Sequence, residues 1–438
     1  MKNIKFLLIT LISMSLVYCE DELNVEPAQS ISADKALRSA NTVKNILVGA
    51  YDEAGQSSTF GGQTNVMADL LGSTGEVGWE GTFVQPRQFF QKNILVDNTY
   101  VSGLWANSYE VINQANLVID NAAVIDDATE RATVIGEAKF LRGLTYFDLA
   151  RHFGGVPLRM TGISDYGVEL DIARSSQGEI FDLVISDLNE AYAALPDSNS
   201  FFADKYAAKA LLARVYLQLG ELALARDAAN DVLANSGHSL NSTFAGAFNN
   251  DSDSVEDIFM FQVTSQGGSN QLITFYASQG NGGRGGDITI QSDYLDLFDD
   301  QTNDVRHSFY YESPFNGGNL TSKYTNQFGN VPVLRIAEMH LIRAETNLAL
   351  GTSVGLAPLV EINALRGRSG AQALSSLTAD LIFNERQLEL AFEGHLIHDL
   401  KRLGKSIGTL ASTSPKLVWP IPQTEMDSNS LMTQNSGY

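Results

Sequence analysis

The chain contains a single cysteine, Cys19, among its 438 residues. One cysteine cannot form an intramolecular disulfide, and it cannot supply a zinc site built from cysteine ligands. Positive charge is also scarce, because 29 Lys and Arg residues stand against 51 Asp and Glu residues and the formal net charge is −22. Binding to a phosphate backbone needs a basic surface. The composition therefore excludes disulfide-rich scaffolds and argues against nucleic-acid-binding proteins.

Long apolar runs are missing except for one short run at the N-terminus. Residues 6–17 read FLLITLISMSLV and follow Lys2 and Lys5, which is the pattern of a secretory signal. The run is too short to cross the roughly 30 Å of bilayer hydrocarbon as a helix. No later stretch reaches 18 consecutive apolar residues. The sequence therefore predicts one export segment and no second membrane span.

Cys19 follows this apolar run directly, and the arrangement resembles a bacterial lipobox, in which the cysteine is lipidated. We predict a lipoprotein signal peptide at 1–18 and an acidic tether at 19–33. Tyr18 stands where a lipobox usually has a small residue, so an ordinary signal peptide cut elsewhere is the alternative. Removal of 1–18 deletes two lysines and no acid, which gives the mature chain a net charge of −24.

Helical periodicity dominates the mature chain, and its clearest form is at 205–235. A tetratricopeptide unit needs small residues where its two helices cross, an aromatic residue nearby and glycine at the turn. The residues at those spacings are Ala213, Tyr216, Gly220, Ala225 and Ala229. A weaker copy covers 334–365, and a third unit starts at 142 with its second helix delayed until Ser176. Because such units bury their apolar faces only by stacking, we predict a mainly α, tetratricopeptide-like scaffold of helical hairpins.

Two segments interrupt the helical pattern. Residues 61–98 contain six glycines and four aromatic residues, and residues 241–330 contain short apolar runs among many Gly and Asn residues. We predict that both are loop-rich and that the second is an irregular insertion. Long irregular segments inside a compact protein usually carry function. The expected divisions of the chain are a helical region at 34–240, the insertion at 241–330 and a second helical region at 331–438.

Five sequence blocks resemble the SusD/RagB family of glycan-binding outer-membrane lipoproteins. They occur in the family's order behind the lipobox-like Cys19, so the resemblance spans essentially the whole chain. The blocks are EAKFLRGLTYFDLARHFGGVPL (137–158), LRIAEMHLIRAETNLALG (334–351), INALRGRSGA (362–371), NERQLELAFEGHLIHDLKRLG (384–404) and PIPQTEMDSNSLMTQNSGY (420–438). The acidic residues after Cys19 also resemble the surface-export signal of Bacteroidota lipoproteins.

This resemblance implies a helical scaffold with an irregular insertion, lipid-anchored on the surface of the cell outer membrane. It implies a SusC-like TonB-dependent transporter as partner, over which the protein acts as a lid and ligand-capture subunit in polysaccharide utilization. It implies a starch- or glycan-binding protein without a cofactor. Family members differ in ligand, so capture of a peptide or another nutrient is one alternative. A tetratricopeptide scaffold that binds protein in its concave groove is another.

Residues outside the periodic helices are the candidates for sugar binding. Such a site stacks an aromatic ring on the C–H face of a sugar and adds polar groups for the hydroxyls. The predicted ligand-binding residues are Trp79, Tyr276, Gln279, Asn281, Arg284, Asn65 and Asp69. Trp79 lies among glycines and glutamates, and the alternative for it is a local core position. Arg284 can donate paired hydrogen bonds to vicinal hydroxyls, and the alternative for its loop is contact with the transporter alone.

Sequence motifs for catalysis or metal binding are not recognisable. His395 and His398 could share a helix face, but they lack the HExxH order of a zinc motif, and we predict no metal. The only cysteine lies at the predicted lipidation position, which removes a cysteine nucleophile from the mature domain. A carboxylate pair for glycoside hydrolysis cannot be picked out among 51 acids, so a secreted hydrolase stays as an alternative. The net charge favours a neutral over a strongly anionic polysaccharide.

Overall fold

The computed structural model describes residues 37–165, 167, 169–266 and 270–438. The predicted signal peptide, Cys19 and the tether at 19–33 therefore lie outside the described residues. In the part of the chain that is described, no helix combines the length and apolar character needed to cross a membrane.

Most of the described chain is helical, which confirms the predicted mainly α class. The helices are α1 (Ala40–Ala54), α2 (Gln63–Gly72), α3 (Val84–Phe90), α4 (Thr99–Asn121), α5 (Ala128–Phe153), α6 (Gln177–Ala194), α7 (Lys205–Leu219), α8 (Leu222–Asn235), α9 (Leu272–Tyr276), α10 (Ser292–Leu295), α11 (Ile336–Leu350), α12 (Pro358–Arg368), α13 (Ala379–Glu389), α14 (Leu396–Arg402) and α15 (Gln423–Ser428). The strands are β1 (Val77–Trp79), β2 (Asp257–Phe261), β3 (Ile288–Ile290), β4 (Tyr310–Glu312), β5 (Asn319–Thr321) and β6 (Val331–Arg335).

The helical hairpin α7–α8 confirms the unit predicted at 205–235. The side chain of Asp204 accepts hydrogen bonds from two backbone N–H groups of the first turn and so caps α7. Gly220 ends α7 in the left-handed conformation, with φ at 76°, which a glycine adopts at low cost. Ala213 and Ala229 are fully buried where the two helices cross. Residues close together in the sequence thus determine where α7 begins and ends and how closely α7 and α8 pack.

The two further hairpins also form and extend the stack. In α11–α12 the turn again follows a left-handed glycine, Gly351, and the side chain of Asn347 pairs with the backbone of Val354. In α5–α6 the second helix begins at a capping box made by Ser176 and Glu179. Because α6 packs on α7 and α8 packs on α11, the three hairpins form one continuous layer.

The segment at 61–98 is more regular than predicted. It contains α2, β1 and α3 rather than loop alone. Helix α2 is buried nearly all round, since Val66, Met67, Leu70 and Leu71 are all fully buried. A helix buried on every side shows no amphipathic period. The prediction of loop for 63–72 was therefore wrong because it relied on such a period.

The irregular insertion is confirmed as a chain of short elements, and two small sheets organise it. The four-stranded antiparallel sheet has the order β1-β3-β5-β4, with Trp79 opposite Ile288. Strands β2 and β6 form a second antiparallel pair in which Phe261 faces Val331. Since β1 comes from 61–98 and its partners come from the insertion, the two irregular segments meet in one sheet.

The main hydrophobic core runs between these sheets and the helices. Trp105 and Trp419 are 5% and 1% exposed. The ring of Phe153 packs between them, with centroid distances of 5.1 Å and 5.7 Å to the two indoles. Both tryptophans therefore belong to the core.

A buried network of charges fastens the insertion to the C-terminal helices. Its centre is the fully buried Glu389 at the end of α13. Arg368 donates a hydrogen bond to its carboxylate at 2.5 Å, and Arg306 and Arg335 approach the carboxylate oxygens at 3.5 Å. These cations hold the pKa of Glu389 far below its usual range although burial opposes this. We call the following residues the Glu389 network: Glu256, Asp304, Arg306, Lys323, Arg335, Arg368, Glu385, Glu389 and Glu393.

Aromatic rings cover the cations of the Glu389 network. Phe244, Phe248 and Phe309 pack together, with Phe244 5.1 Å from Phe248 and 5.3 Å from Phe309 between ring centroids. The ammonium group of Lys323 lies 4.5 Å from the ring centroid of Phe248, and the guanidinium carbon of Arg368 lies 5.3 Å from that of Phe244. The run at 244–248 thus excludes water from the network on this side.

The Glu389 network predicts a large loss of stability for Arg306→Ala. This change leaves the buried carboxylates of Asp304, Glu385 and Glu389 without one of their cations. Loss of one partner from a buried ion pair typically costs about 3–5 kcal/mol, and we expect a loss of that size in urea unfolding followed by circular dichroism.

The matched control is Lys44→Ala, which removes the exposed ion pair between Lys44 and Glu130. Such surface pairs contribute about 0–1 kcal/mol. Equal, small effects of the two substitutions would contradict the role assigned to the Glu389 network.

Candidate functional site

The sheet that joins the two irregular segments positions Trp79. Trp79 ends β1, and the N–H of the next residue, Glu80, donates to the carbonyl of Asp287 at 2.7 Å. A Cβ atom at Gly81 would lie 2.5 Å from Cζ2 of Trp79. Only glycine therefore lets the chain pass so closely over the indole ring.

Three aromatic rings surround the fully buried ring of Phe275 in α9. The ring centroids of Trp79, Phe83 and Tyr100 lie 5.5, 6.1 and 6.3 Å from that of Phe275, in tilted or edge-on geometry. Phe83 is 43% exposed, and Trp79 and Tyr100 are half-buried. We call these four residues the aromatic cluster. Its inner ring is fixed by the core, and its outer rings reach solvent.

Arg284 adds a charged group to the aromatic cluster. Its guanidinium carbon lies 3.5 Å from the ring centroid of Phe83. Its Nε atom lies 3.2 Å from Oδ2 of Asp287, and a terminal nitrogen donates to the hydroxyl of Thr82 at 3.4 Å. Burial raises the pKa of Asp287 while the charge of Arg284 opposes the rise. The guanidinium is thus oriented and its charge compensated.

Gln279 and Asn281 precede Arg284 on the same loop. They lie in a short 3-10 turn that ends at Gly282, and Gln279 is exposed. The loop returns to α9 through a hydrogen bond from the N–H of Arg284 to the carbonyl of Thr274 at 3.0 Å. The structure therefore brings Trp79 and Arg284 to one place and leaves Gln279 and Asn281 on the adjoining turn.

Phe315 is a surface aromatic residue that the sequence-based interpretation missed. It lies at the turn between β4 and β5 and is 85% exposed, the largest value among the exposed large apolar residues described. Ser313 in this turn donates to the carbonyl of Gly285, next to Arg284, at 3.4 Å. The available signal was an aromatic residue inside a run of turn formers, PFNGG, where it has no apolar neighbours to pack on.

Tyr276 and Asp69 lie inside the protein, whereas a residue that contacts a ligand must be exposed. Tyr276 is 1% exposed, and its hydroxyl donates to Oδ2 of Asp69 at 2.8 Å. The N–H of Gly394 donates to the other oxygen of Asp69 at 3.0 Å. A buried carboxylate needs such donors, which explains why Tyr276 turns inward. The pair fixes α9 on α2 and so positions Phe275 for the aromatic cluster.

Asn65 lies elsewhere, on the wall of a narrow internal cavity of about 40 Å³. This volume holds a few waters and is far below the roughly 300 Å³ at which small-molecule pockets begin. His395 and His398 line the same cavity, and burial lowers the pKa of His395 to about 4. The ring of His398 packs 5.1 Å from that of His152. Within the described ranges, no group of three or more His, Cys, Asp or Glu side chains is arranged to hold a metal ion.

Family models match two parts of this chain. A model described as SusD-like, starch-binding and associating with the outer membrane matches residues 22–217. A model described as the SusD family matches residues 307–411. Together they account for more than half of the chain, in the order expected from the sequence blocks.

Individual proteins agree with the family models. A SusD-like protein P2 of Formosa agariphila is 27% identical to this chain, with 100% of each chain covered. A SusD superfamily protein of Bacteroides thetaiotaomicron has a structure that matches with a TM-score of 0.81 at 24% identity, over 91% of this chain and 99% of its own. A laminarin-binding SusD-like protein matches with a TM-score of 0.76 at 23% identity, over 91% and 99%. The two structural likenesses establish the fold.

The buried Asp69 predicts a specific dependence of stability on pH. Burial raises the pKa of Asp69 to about 7. The folded protein thus keeps this proton up to about pH 7, whereas an unfolded chain loses it near pH 3.9. Between these values the folded state binds more protons than the unfolded state, so this residue makes stability fall as pH rises. Asp69→Asn removes the titration, and we expect the decrease in melting temperature between pH 5 and pH 7.5 to shrink by on the order of a few degrees.

The control for this measurement is Asp126→Asn, which changes an exposed acid. It should retain the pH dependence of the wild type. An Asp69→Asn protein that also retains it would show that Asp69 titrates at an ordinary pH in the folded state.

Proposed function

Because this chain belongs to the SusD family, we propose that it is a non-catalytic, surface-exposed lipoprotein of the outer membrane that captures a neutral glycan. It delivers this glycan to a SusC-like TonB-dependent transporter for nutrient uptake. The observation that carries the glycan assignment is the aromatic cluster with the Arg284–Asp287 pair beside it. The anchor is Cys19, and the site is the exposed side of the aromatic cluster.

The aromatic cluster supplies the two kinds of contact that a sugar ring needs. The half-buried Trp79 and the exposed Phe83 offer ring surface for the C–H face of a sugar. Arg284 and Asp287 offer a donor and an acceptor for hydroxyl groups at its edge. Since Phe275 is fixed by the core, these groups are held in place before the ligand binds, which reduces the ordering cost of binding.

The electrostatics of the site favour a neutral ligand. Arg284 is paired with Asp287 at 3.2 Å, and its positive charge is therefore compensated within the protein. Glu80, next to Trp79, is exposed and adds negative charge. The chain as a whole carries a net charge of −22. The acidic balance of the chain opposes binding of a strongly anionic polysaccharide.

The positions of the exposed aromatic residues favour a glycan over a peptide. A peptide bound in the concave helical face would require exposed rings on that face. The large exposed aromatic side chains of the described residues lie outside the helices, and they are Phe83, Phe201, Phe202, Phe315 and Tyr438. Loop-borne aromatic residues match sugar binding by stacking. Modest affinity would suit the role, because a captured glycan has to be released into the transporter.

The family comparisons supply the first ligands to test. The family description names starch, and one structural neighbour is named for laminarin. Both are neutral polysaccharides, in agreement with the electrostatics of the site. We therefore expect at least one neutral polysaccharide of this kind to bind to the aromatic cluster.

Trp79→Ala tests this proposal. In native gels that contain laminarin or starch, the wild-type protein should migrate more slowly than in gels without polysaccharide. Loss of a stacking side chain at a binding hot spot typically costs about 2 kcal/mol or more, so Trp79→Ala should weaken binding by at least about tenfold in calorimetry. Trp79→Phe keeps a ring against Phe275 and should retain most of the binding.

Circular dichroism and melting temperature establish that each variant is folded, and Leu224→Ala on α8 serves as an exposed control. A folded Trp79→Ala protein that binds like the wild type would remove Trp79 from the site. Release of reducing ends from the polysaccharide would contradict the non-catalytic role. A wild-type protein that binds peptides and no glycan would contradict the ligand class.

A further inference from the structure

A second concave surface lies between α1, the loop at 195–204 and β2. Its volume is about 400 Å³, which lies within the range of roughly 300–1,000 Å³ found for ligand pockets. We call it the Phe201 pocket. Its lining residues include Tyr51, Gln56, Phe201, Phe202, Gln262 and Gln271. It shares no residue with the aromatic cluster.

Two adjacent phenylalanines reach solvent at this pocket. Phe201 is 63% exposed and Phe202 is 37% exposed. Burial of an apolar side chain stabilises a fold, so the exposure of these two rings forgoes part of that gain. Exposed apolar groups that adjoin one another mark interaction sites more often than isolated ones do.

The loop that carries these rings is held by hydrogen bonds. The N–H of Phe202 donates to the carbonyl of Asn199 at 3.0 Å. The N–H of Ala203 donates to the hydroxyl of Tyr51 at 3.1 Å, and the ring of Tyr51 packs 4.8 Å from that of Phe202. The exposed position of the rings is therefore built into the loop.

Oriented polar groups border the aromatic surface. The amide nitrogen of Gln262 donates to Asp253 at 2.7 Å, and its oxygen accepts from Asn330 at 2.9 Å. The amide nitrogen of Gln56 lies 3.3 Å from a carboxylate oxygen of Asp52. None of the described residues that line the pocket is Lys or Arg. The pocket thus combines ring surface with amide and carboxylate groups and offers no cation to an anionic ligand.

We infer that the Phe201 pocket is a second binding site for a neutral saccharide. Aromatic rings beside amide and carboxylate groups fit a ligand that is apolar on its C–H faces and polar at its hydroxyls. The inference rests on the proposed glycan-binding function and adds a site to it. Helix α9 links the two sites, because Gln271 lines the pocket and Phe275, four residues later, is the centre of the aromatic cluster. Four residues correspond to about 6 Å along a helix axis.

The test measures glycan binding after the first site has been removed. Native gels with laminarin, starch, xylan or galactomannan are run for wild type, Trp79→Ala, Phe201→Ala/Phe202→Ala and the triple variant. We expect Trp79→Ala to retain part of the retardation and the triple variant to lose it. In calorimetry with the retained polysaccharide, adding Phe201→Ala/Phe202→Ala to Trp79→Ala should weaken the residual binding by about tenfold.

Two controls keep the result interpretable. Phe201→Ala alone removes a ring that is 63% exposed, so it should disturb the fold less than the double substitution does. It should reproduce most of the effect of the double substitution. Leu219→Ala, at the turn of the α7–α8 hairpin and 38% exposed, should change nothing.

The outcomes separate this inference from the proposed function. If Trp79→Ala alone removes all binding, or if the Phe201 and Phe202 substitutions have no effect in either background, the second site is refuted and the glycan function stands. If the wild-type protein binds none of the polysaccharides, both fail.

Discussion

Glu389 is a buried carboxylate whose charge is balanced by three arginines, and the position of the insertion depends on that balance. Arg306 comes from the insertion, Arg335 from β6 and Arg368 from the end of α12, so three distant parts of the chain converge on one side chain. A buried charge without a partner is costly, whereas an apolar contact tolerates substitutions that conserve volume. The charges therefore leave few alternative ways to place a segment that has little regular structure of its own.

The same network leads to the candidate site through a short series of contacts. Lys323 pairs with Glu393 at 2.7 Å, and the next residue, Gly394, donates its N–H to Asp69. Asp69 accepts a hydrogen bond from the hydroxyl of Tyr276. Tyr276 is adjacent in the chain to Phe275, which is the inner ring of the aromatic cluster. Buried polar pairs thus fix α9, and α9 fixes the rings that reach solvent. The core thus supports the proposed binding surface, and of the four aromatic residues in the cluster only Phe83 lies outside the helices and strands.

The features that could be predicted from the sequence are those that depend on residues close together in the chain. The α7–α8 hairpin was recognisable because its cap, its turn glycine and its small residues all lie within 205–235. The burial of Tyr276 was not recognisable, since its partner Asp69 is 207 residues away. Trp79 and Arg284 could be selected by their glycine-rich surroundings, but their meeting depends on the pairing of β1 with β3. Phe315 was missed although the local run PFNGG predicts a turn, in which an aromatic side chain has no apolar neighbours to pack on.

The central claim is that a neutral glycan lies on the exposed side of the aromatic cluster. The most direct measurement is a crystal structure of the protein with an oligosaccharide of the polysaccharide that it binds. The account predicts a sugar ring stacked on Trp79 or Phe83, with hydroxyl groups within hydrogen-bond distance of Arg284 or Asp287. A ligand found in the concave face of the helical hairpins, with the aromatic cluster free, would contradict it.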